Sequence, residues 1–210
     1  VSALENLFNK FGCDKAKKHH YHLIYQDRLA SFKDKQFNLL EVGIFRGESI
    51  KAWLEYFPQA QIYGIDIFTR VKVEDIDVLQ DPRVHWLKTD STQAGVQFQM
   101  SSKWKDVQFD VVIDDGLHTP RANADTLKNI WPRVADRGQY FIEDVWPLDT
   151  MTSQQLQHPW LLRYPERYNQ LEMNYFRTTL NKVVGDSQII DHDNRKLSGE
   201  PDSYIIEVVK

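Results

Sequence analysis

The sequence predicts an α/β fold: an open, mostly parallel sheet wound on both faces by helices, with a helical extension before it and an antiparallel hairpin after it. Three observations carry this expectation. Short apolar runs alternate with longer mixed segments, some at helical spacing, and repeated strand–helix–strand order calls for right-handed parallel crossovers. Each of the five central runs ends on an acidic residue. Near the end of the chain, two more strand-like pieces flank a turn-rich stretch.

Residues 1–35 read as a polar, aromatic and helical extension, with "HHYHLIYQDRLASF" at the centre of a second helix. Residues 36–145 make the core. Buried strands are read at "FNLLEVG" (37–43), "QIYGIDI" (61–67), "RVHWLKTD" (83–90), "FDVVIDDG" (109–116) and "QYFIEDV" (139–145). In "ESIKAWLEYF" (48–57), Ile50, Trp53, Leu54 and Phe57 share one helical face. "PRANADTLKNIWPRV" (120–134) is the other clear helix, and Pro58 and "DRG" (136–138) are expected as stops. An aromatic-rich stretch follows Val145. "SQIID" (187–191) and "SYIIEVV" (203–209) then make a hairpin that closes the sheet over 187–210.

Composition narrows the classes. A chain of 210 residues, 41% hydrophobic and 27% charged, fits one soluble domain with a real core. A net charge of −4 argues against nucleic acid as a partner. The basic "KAKKHH" (15–20) reads as a solvated helix face. Cys13 is the single cysteine, which excludes a disulfide framework and a cysteine-built zinc site. No apolar run is long enough to insert in a membrane. A chain opening on Val1 in place of Met is expected to be trimmed or cut from a longer one, and a cytoplasmic location is expected. A homo-oligomer is compatible with the sequence, which does not fix the oligomeric state.

In an open parallel sheet, ligands bind beyond the carboxyl ends of the strands, near the switch point. The residues there are Glu41 with Gly43, Asp66, Asp90, Asp114 with Asp115, and Glu143 with Asp144. A neutral surface would mix the signs, so five acidic ends favour a functional rim. Gly43 permits a tight turn and Gly47 a close backbone approach where the next helix begins. Asp66, about twenty residues on, is placed to accept both hydroxyls of a ribose. These residues indicate an adenosine cofactor. A dinucleotide would need Gly-x-Gly-x-x-Gly. Here the spacing is Gly-x-x-x-Gly with Glu41 and Glu48 nearby, which repels a pyrophosphate and suits a cofactor bearing an ammonium and a sulfonium. S-adenosyl-L-methionine fits better than NAD. Asp90 either meets the adenine edge or caps the following helix.

Asp115 by itself reads as a turn residue before Gly116. With Glu143 and Asp144 on a neighbouring strand end, it joins three carboxylates that repel one another and require a cation. Oxygen ligands select a hard ion, Mg²⁺ before Ca²⁺ or Mn²⁺. His118 is then a general base beside the metal, or more plainly a histidine at a helix N-terminus.

The segments "LLEVGIFRGESIKAW", "YGIDI", "FDVVIDDGLHT" and "FIEDV" resemble class I S-adenosylmethionine-dependent methyltransferases, which have a Rossmann-like fold. In particular they resemble the Mg²⁺-dependent sugar O-methyltransferases of macrolide tailoring and bacterial polysaccharide loci. "DKAKKHHYHLIY" is similar to the N-terminal segment of that group at Lys15, His19, Tyr21 and Tyr25. The resemblance covers about residues 12–145. It implies that Glu41, Gly43 and Gly47 line the methionine moiety, Asp66 the ribose and Asp90 the adenine, with Lys15 and Tyr21 also beside the cofactor. It implies Mg²⁺ (or Mn²⁺) on Asp115, Glu143 and Asp144, His118 as general base, and Asp114 near the transferred methyl. Glu48 departs from the family's second glycine. Residues 146–186 lie outside the resemblance and are expected to form the acceptor-binding insertion.

The activity so implied is Mg²⁺-dependent O-methylation of a sugar hydroxyl on a small-molecule or glycan acceptor. A catechol-type O-methyltransferase acting on a phenol and a catalytically inactive scaffold of the same fold are the alternatives. A nicotinamide dehydrogenase is disfavoured by the glycine spacing, and an RNA methyltransferase by the acidic balance and the lack of an Asn-Pro-Pro-Tyr motif. Calorimetry against S-adenosylhomocysteine and NADH tests the cofactor: the homocysteine product is expected to bind and NADH not.

Overall fold

The computed structural model describes residues 2–210, and Val1 lies outside them. The N-terminal extension is α1 (Ala3–Phe11), α2 (Asp14–Lys17) and α3 (Tyr21–Arg28). The core runs β1 (Asn38–Val42), α4 (Glu48–Tyr56), β2 (Gln61–Asp66), β3 (Val84–Lys88), α5 (Gly95–Trp104), β4 (Phe109–Asp114), α6 (Pro120–Ile130) and β5 (Val134–Ile142). Then come α7 (Pro159–Arg163), α8 (Gln170–Val184), β6 (Gln188–Asp193), α9 (Arg195–Ser198) and β7 (Tyr204–Val209).

The strands form one sheet in the order β3-β2-β1-β4-β5-β7-β6. The five central strands pair in parallel, and β7 joins β5 antiparallel as the inner strand of the β6–β7 hairpin. The chain winds outward from β1 to β3 and then returns to β4 beside β1. The crevice between β1 and β4 is therefore the switch point.

Local chemistry accounts for the helix boundaries. Ser2 and Glu5 form a capping box at α1, and Gly12 ends it in the left-handed region. Thr119 caps α6 and Pro120 occupies its first turn, while Asn169 caps α8. No helix of the described residues is long and apolar enough to cross a membrane.

Side-chain alternation divides the core into two layers. Leu40, Val112 and Tyr140 enter a layer covered by α5, α6 and α8. Leu39, Val111, Ile113 and Phe141 enter the opposite one, covered by α1, α3 and α4. In that second layer Trp53 packs edge-on against both Phe8 and Tyr25, which locks the extension onto α4.

The fold class is as the sequence predicts, with corrections in detail. The stretch read as the centre of the second helix is helical only from Tyr21 to Arg28, because His20 at φ +56 separates it from α2. The helix read at 120–134 stops at Ile130, where the Trp131–Arg133 turn begins and Pro132 cannot continue the ladder. "DRG" then lies inside β5 and not between elements. The β4–β5 register shifts there, with Arg137 at φ +63, and a Cβ on Gly138 would come within 2.8 Å of the Ala135 carbonyl. Two helices carried no clear signal. α5 has exposed and buried residues mixed around it, and α8, inside the 146–186 stretch, packs against α6 as part of the sheet's cover.

The hairpin is tied back to the extension by Glu207 on β7, a carboxylate with no exposed surface. It accepts from Arg28 of α3 (2.8 and 3.0 Å) and pairs with His192 of β6 (2.7 Å). Burial opposes its ionisation, but the bonds from His192 and Arg28 outweigh that and hold the carboxyl below the usual glutamate range. This stabilisation is present above the unfolded pKa and is lost as pH falls through the lower folded one. Arg28→Met should lower stability by about 1–3 kcal/mol in denaturant melts at neutral pH. The deficit should shrink below about pH 4, where Glu207 is protonated in the unfolded chain.

Candidate active site

The register explains why two adjacent aspartates end β4. Glu41 is paired with Ile113, and Ile113 with Phe141. Two residues further on, just past the ends of β4 and β5, stand Asp115 and Glu143. Alternation therefore sends Glu41, Asp115 and Glu143 to the face that carries the N-terminal extension, and Asp114 to the other. There Asp114 is buried and accepts the Tyr140 hydroxyl at 3.3 Å. Burial raises its pKa to about 7, against the opposing pull of His118.

A lysine meets the three carboxylates on the extension's face. Lys15 of α2 is 2% exposed. Its Nζ lies 2.5 Å from Asp115 Oδ2, in direct hydrogen bond to Glu143 Oε2, and 3.8 Å from Glu41 Oε1. Burial opposes the charge, yet Asp115, Glu143 and Glu41 together hold the ammonium well above the ordinary lysine range. Asp115 also resists burial, and Lys15 and His118 hold its carboxyl below its usual value. Glu143 moves the other way, because burial and the neighbouring Asp115 and Asp144 outweigh Lys15. Its second oxygen accepts the Tyr25 hydroxyl at 2.5 Å. Glu41, raised to about 7 by burial, accepts from Trp53 Nε1 at 3.1 Å.

Asp144 and His118 turn toward the mouth. Both have positive φ, +51 and +59, a conformation that costs energy for residues with a Cβ. His118 Nε2 stands 3.4 Å from Asp115 Oδ1 and 4.0 Å from Asp144 Oδ2. Its Nδ1 is buried without a hydrogen-bond partner among the described residues. Asp144 Oδ1 accepts the Tyr21 hydroxyl at 2.8 Å, and His19 Nδ1 lies 3.6 Å away. One ligand atom each from Asp115, His118 and Asp144 falls within 4.8 Å of the others. That spacing, open to solvent through the 26% exposed Asp115, fits a small hard cation.

Of the residues read from the sequence, Asp115, His118 and Asp144 thus come together, while Glu143 turns to Lys15 and Tyr25. Lys15 and Tyr21, expected beside the cofactor, bond to carboxylates of this cluster. The reason is electrostatic: a buried ammonium has to be paired, and these are the acids within its reach. His19 and Tyr25 matched the family segment and carried no assigned role. Their hydroxyl and imidazole partners became legible only once the extension was folded over the strand ends.

The remaining residues line the crevice on the β1–β2 side. Gly43 has φ +92, and a Cβ there would lie 2.0 Å from the Asp115 carbonyl oxygen. Gly47, at φ +78, starts α4 against Val78. Asp66 accepts the amides of Ile44 (2.8 Å), Phe45 (3.0 Å) and Phe68 (2.6 Å), which fixes the loop after β1. Asp90 accepts from the backbone and hydroxyl of Thr92, closing a turn ahead of α5. Phe45 and Ile67 stay exposed beside Asp66, as an apolar rim.

A doubly wound sheet with an acidic, glycine-lined switch point defines an α/β protein built to hold a nucleoside-bearing cofactor. The chain belongs to the methyltransferase-domain family, whose model matches residues 40–145. It is 30% identical over 135 residues to the 8-demethyl-8-(2-methoxy-alpha-L-rhamnosyl)-tetracenomycin-C 3'-O-methyltransferase of Streptomyces olivaceus, covering 61% of this chain and 33% of that one. It is 28% identical over 129 residues to the mycinamicin VI 2''-O-methyltransferase of Micromonospora griseorubida, covering 58% and 30%. The chain thus spans about a third of the length of these relatives. Its fold matches the solved structure of the MycE methyltransferase of mycinamycin biosynthesis, in complex with Mg, SAH and mycinamycin VI, with a TM-score of 0.70. The identity is 21%, covering 99% of this chain and 54% of that one.

Gly43→Ala should be costly on both counts, since it adds strain and drives the added methyl into the Asp115 backbone. A stability loss of about 1–3 kcal/mol is expected in thermal or denaturant melts, the range for residues forced into such a conformation.

Proposed function

We propose that the chain carries an S-adenosylmethionine-dependent, Mg²⁺-assisted O-methyltransferase activity toward a sugar hydroxyl of a glycoside, polysaccharide or natural product. The observation that carries this reading is the convergence of Asp115, His118 and Asp144 at the mouth of the switch-point crevice. The sugar O-methyltransferase relatives support the acceptor class, and the ligands of the MycE complex support the cofactor pair.

The crevice between Gly43, Gly47 and Asp66 would hold the cofactor, and S-adenosylmethionine would supply an electrophilic methyl group. Asp115 and Asp144, with Glu143 beside them, would hold a divalent cation, whose chemistry is to lower the pKa of an oxygen it binds. The chain's own residues do the rest. The carboxylates anchor an acceptor hydroxyl and its neighbour at the crevice mouth. His118 Nε2, facing that point, takes the hydroxyl proton. Gly43 and Gly47, packed against the Asp115 backbone and Val78, fix the turn between β1 and α4, so that cofactor and acceptor oxygen would be held in line. Asp114, buried on the opposite face beside Tyr140, would sit near the transferred methyl. Residues 146–186, through the part that precedes α8, would supply the acceptor surface.

A second reading takes His118 as a ligand of the cation, since its Nε2 belongs to the same cluster. Turnover of a glycoside acceptor should stop in excess EDTA and return with Mg²⁺ or Mn²⁺. His118→Ala should slow it ~10²–10⁴-fold. Unchanged Mn²⁺ binding by that variant assigns the base, and lost binding assigns the ligand. Full turnover in EDTA, or wild-type turnover by the variant, would overturn the mechanism.

A further inference from the structure

The N-terminal extension contacts every acid of the proposed cation site. Lys15 bonds to Asp115 and to Glu143, Tyr25 to Glu143, and the Tyr21 hydroxyl donates to the Asp144 carboxylate and accepts from the Asp144 amide. His19 stands beside Asp144 and also bonds to Ser203 Oγ at 2.8 Å, which ties the extension to the hairpin. These partners come from two short helices and the turn between them. None of them is part of the sheet that supplies the acids.

We infer that this extension is the positioning shell of the cation site: Tyr21 and Tyr25 aim Asp144 and Glu143, and Lys15 is a resident cation that keeps Asp115 and Glu143 together. The inference rests on the cation reading of the preceding section. It gives Lys15 and Tyr21 a different role from contact with the cofactor. The charges favour it. Asp115 and the buried Glu143 and Glu41 form a cluster whose mutual repulsion would spread the three strand ends, and one ammonium stands at its centre. Tyr21 takes Asp144 Oδ1 and leaves Oδ2 on the His118 side, while Tyr25 and Lys15 take one oxygen of Glu143 each and fix its orientation. Partners of this kind are conventionally worth 10–100-fold in metal affinity.

The test is Mn²⁺ titration followed by electron paramagnetic resonance, with S-adenosylhomocysteine binding measured in parallel by calorimetry. Tyr21→Phe and Tyr25→Phe should each weaken Mn²⁺ binding about tenfold or more, and leave binding of the homocysteine product at the wild-type level. Lys15→Met should melt earlier than wild type in EDTA and gain a larger upward shift in Tm on adding Mn²⁺, because the divalent ion replaces the missing charge. If Lys15→Met does not fold, the two tyrosine variants still decide the matter. Tyrosine variants that bind Mn²⁺ as wild type does, or that lose the homocysteine product and keep Mn²⁺, would overturn the inference. Wild-type protein that binds no Mn²⁺ would overturn the cation reading itself, a distinct result.

Discussion

The ammonium of Lys15 is the point on which the strand ends depend. Removing a lysine from water is expensive, and it stays charged only where carboxylates surround it. Three strands deliver those carboxylates, Glu41 from β1, Asp115 after β4 and Glu143 after β5. Each acid alone would also resist burial. Together with Lys15 they close the end of the sheet on one face, and the extension must lie there for the charges to match. The same extension is held at its far end by Arg28 and Glu207, and in its middle by Phe8, Tyr25 and Trp53.

The five acidic strand ends therefore do different work. Asp66 and Asp90 spend their oxygens on backbone amides and a hydroxyl, and so shape the loops around the crevice. Glu41, Asp115 and Glu143 share a lysine. Asp114 is alone on the other face with Tyr140. Only Asp115 and Asp144 also present an oxygen toward His118. Acidic character was shared by all of them, and their neighbours separated the roles.

Left-handed backbone recurs in the same place. Gly43, Phe45, Gly47, His118 and Asp144 all take positive φ within a few residues of a strand end. Such conformations persist where the surroundings fix them. Here Asp66 fixes the Phe45 loop and Tyr21 fixes Asp144, so a rigid hydrogen-bonded frame surrounds an open mouth.

The sheet was legible in the sequence because buried parallel strands are short, continuously apolar runs, and those runs survive in any context. The switch-point residues were legible for a related reason: a strand's last residue lies at the sheet's carboxyl edge wherever the strand goes. Gly43 and Asp115 could be named, but not that one must be glycine because the other's carbonyl fills its Cβ position. Helix α5 was not legible because its apolar residues do not form one stripe, and α8 because its signal is diluted among aromatics. Two decisions belonged to the tertiary structure alone. Register and alternation set Asp114 and Asp115 on opposite faces. Packing of a segment 100 positions away then put Lys15 against Asp115, since a hydrogen bond of that sequence separation leaves no local pattern to read.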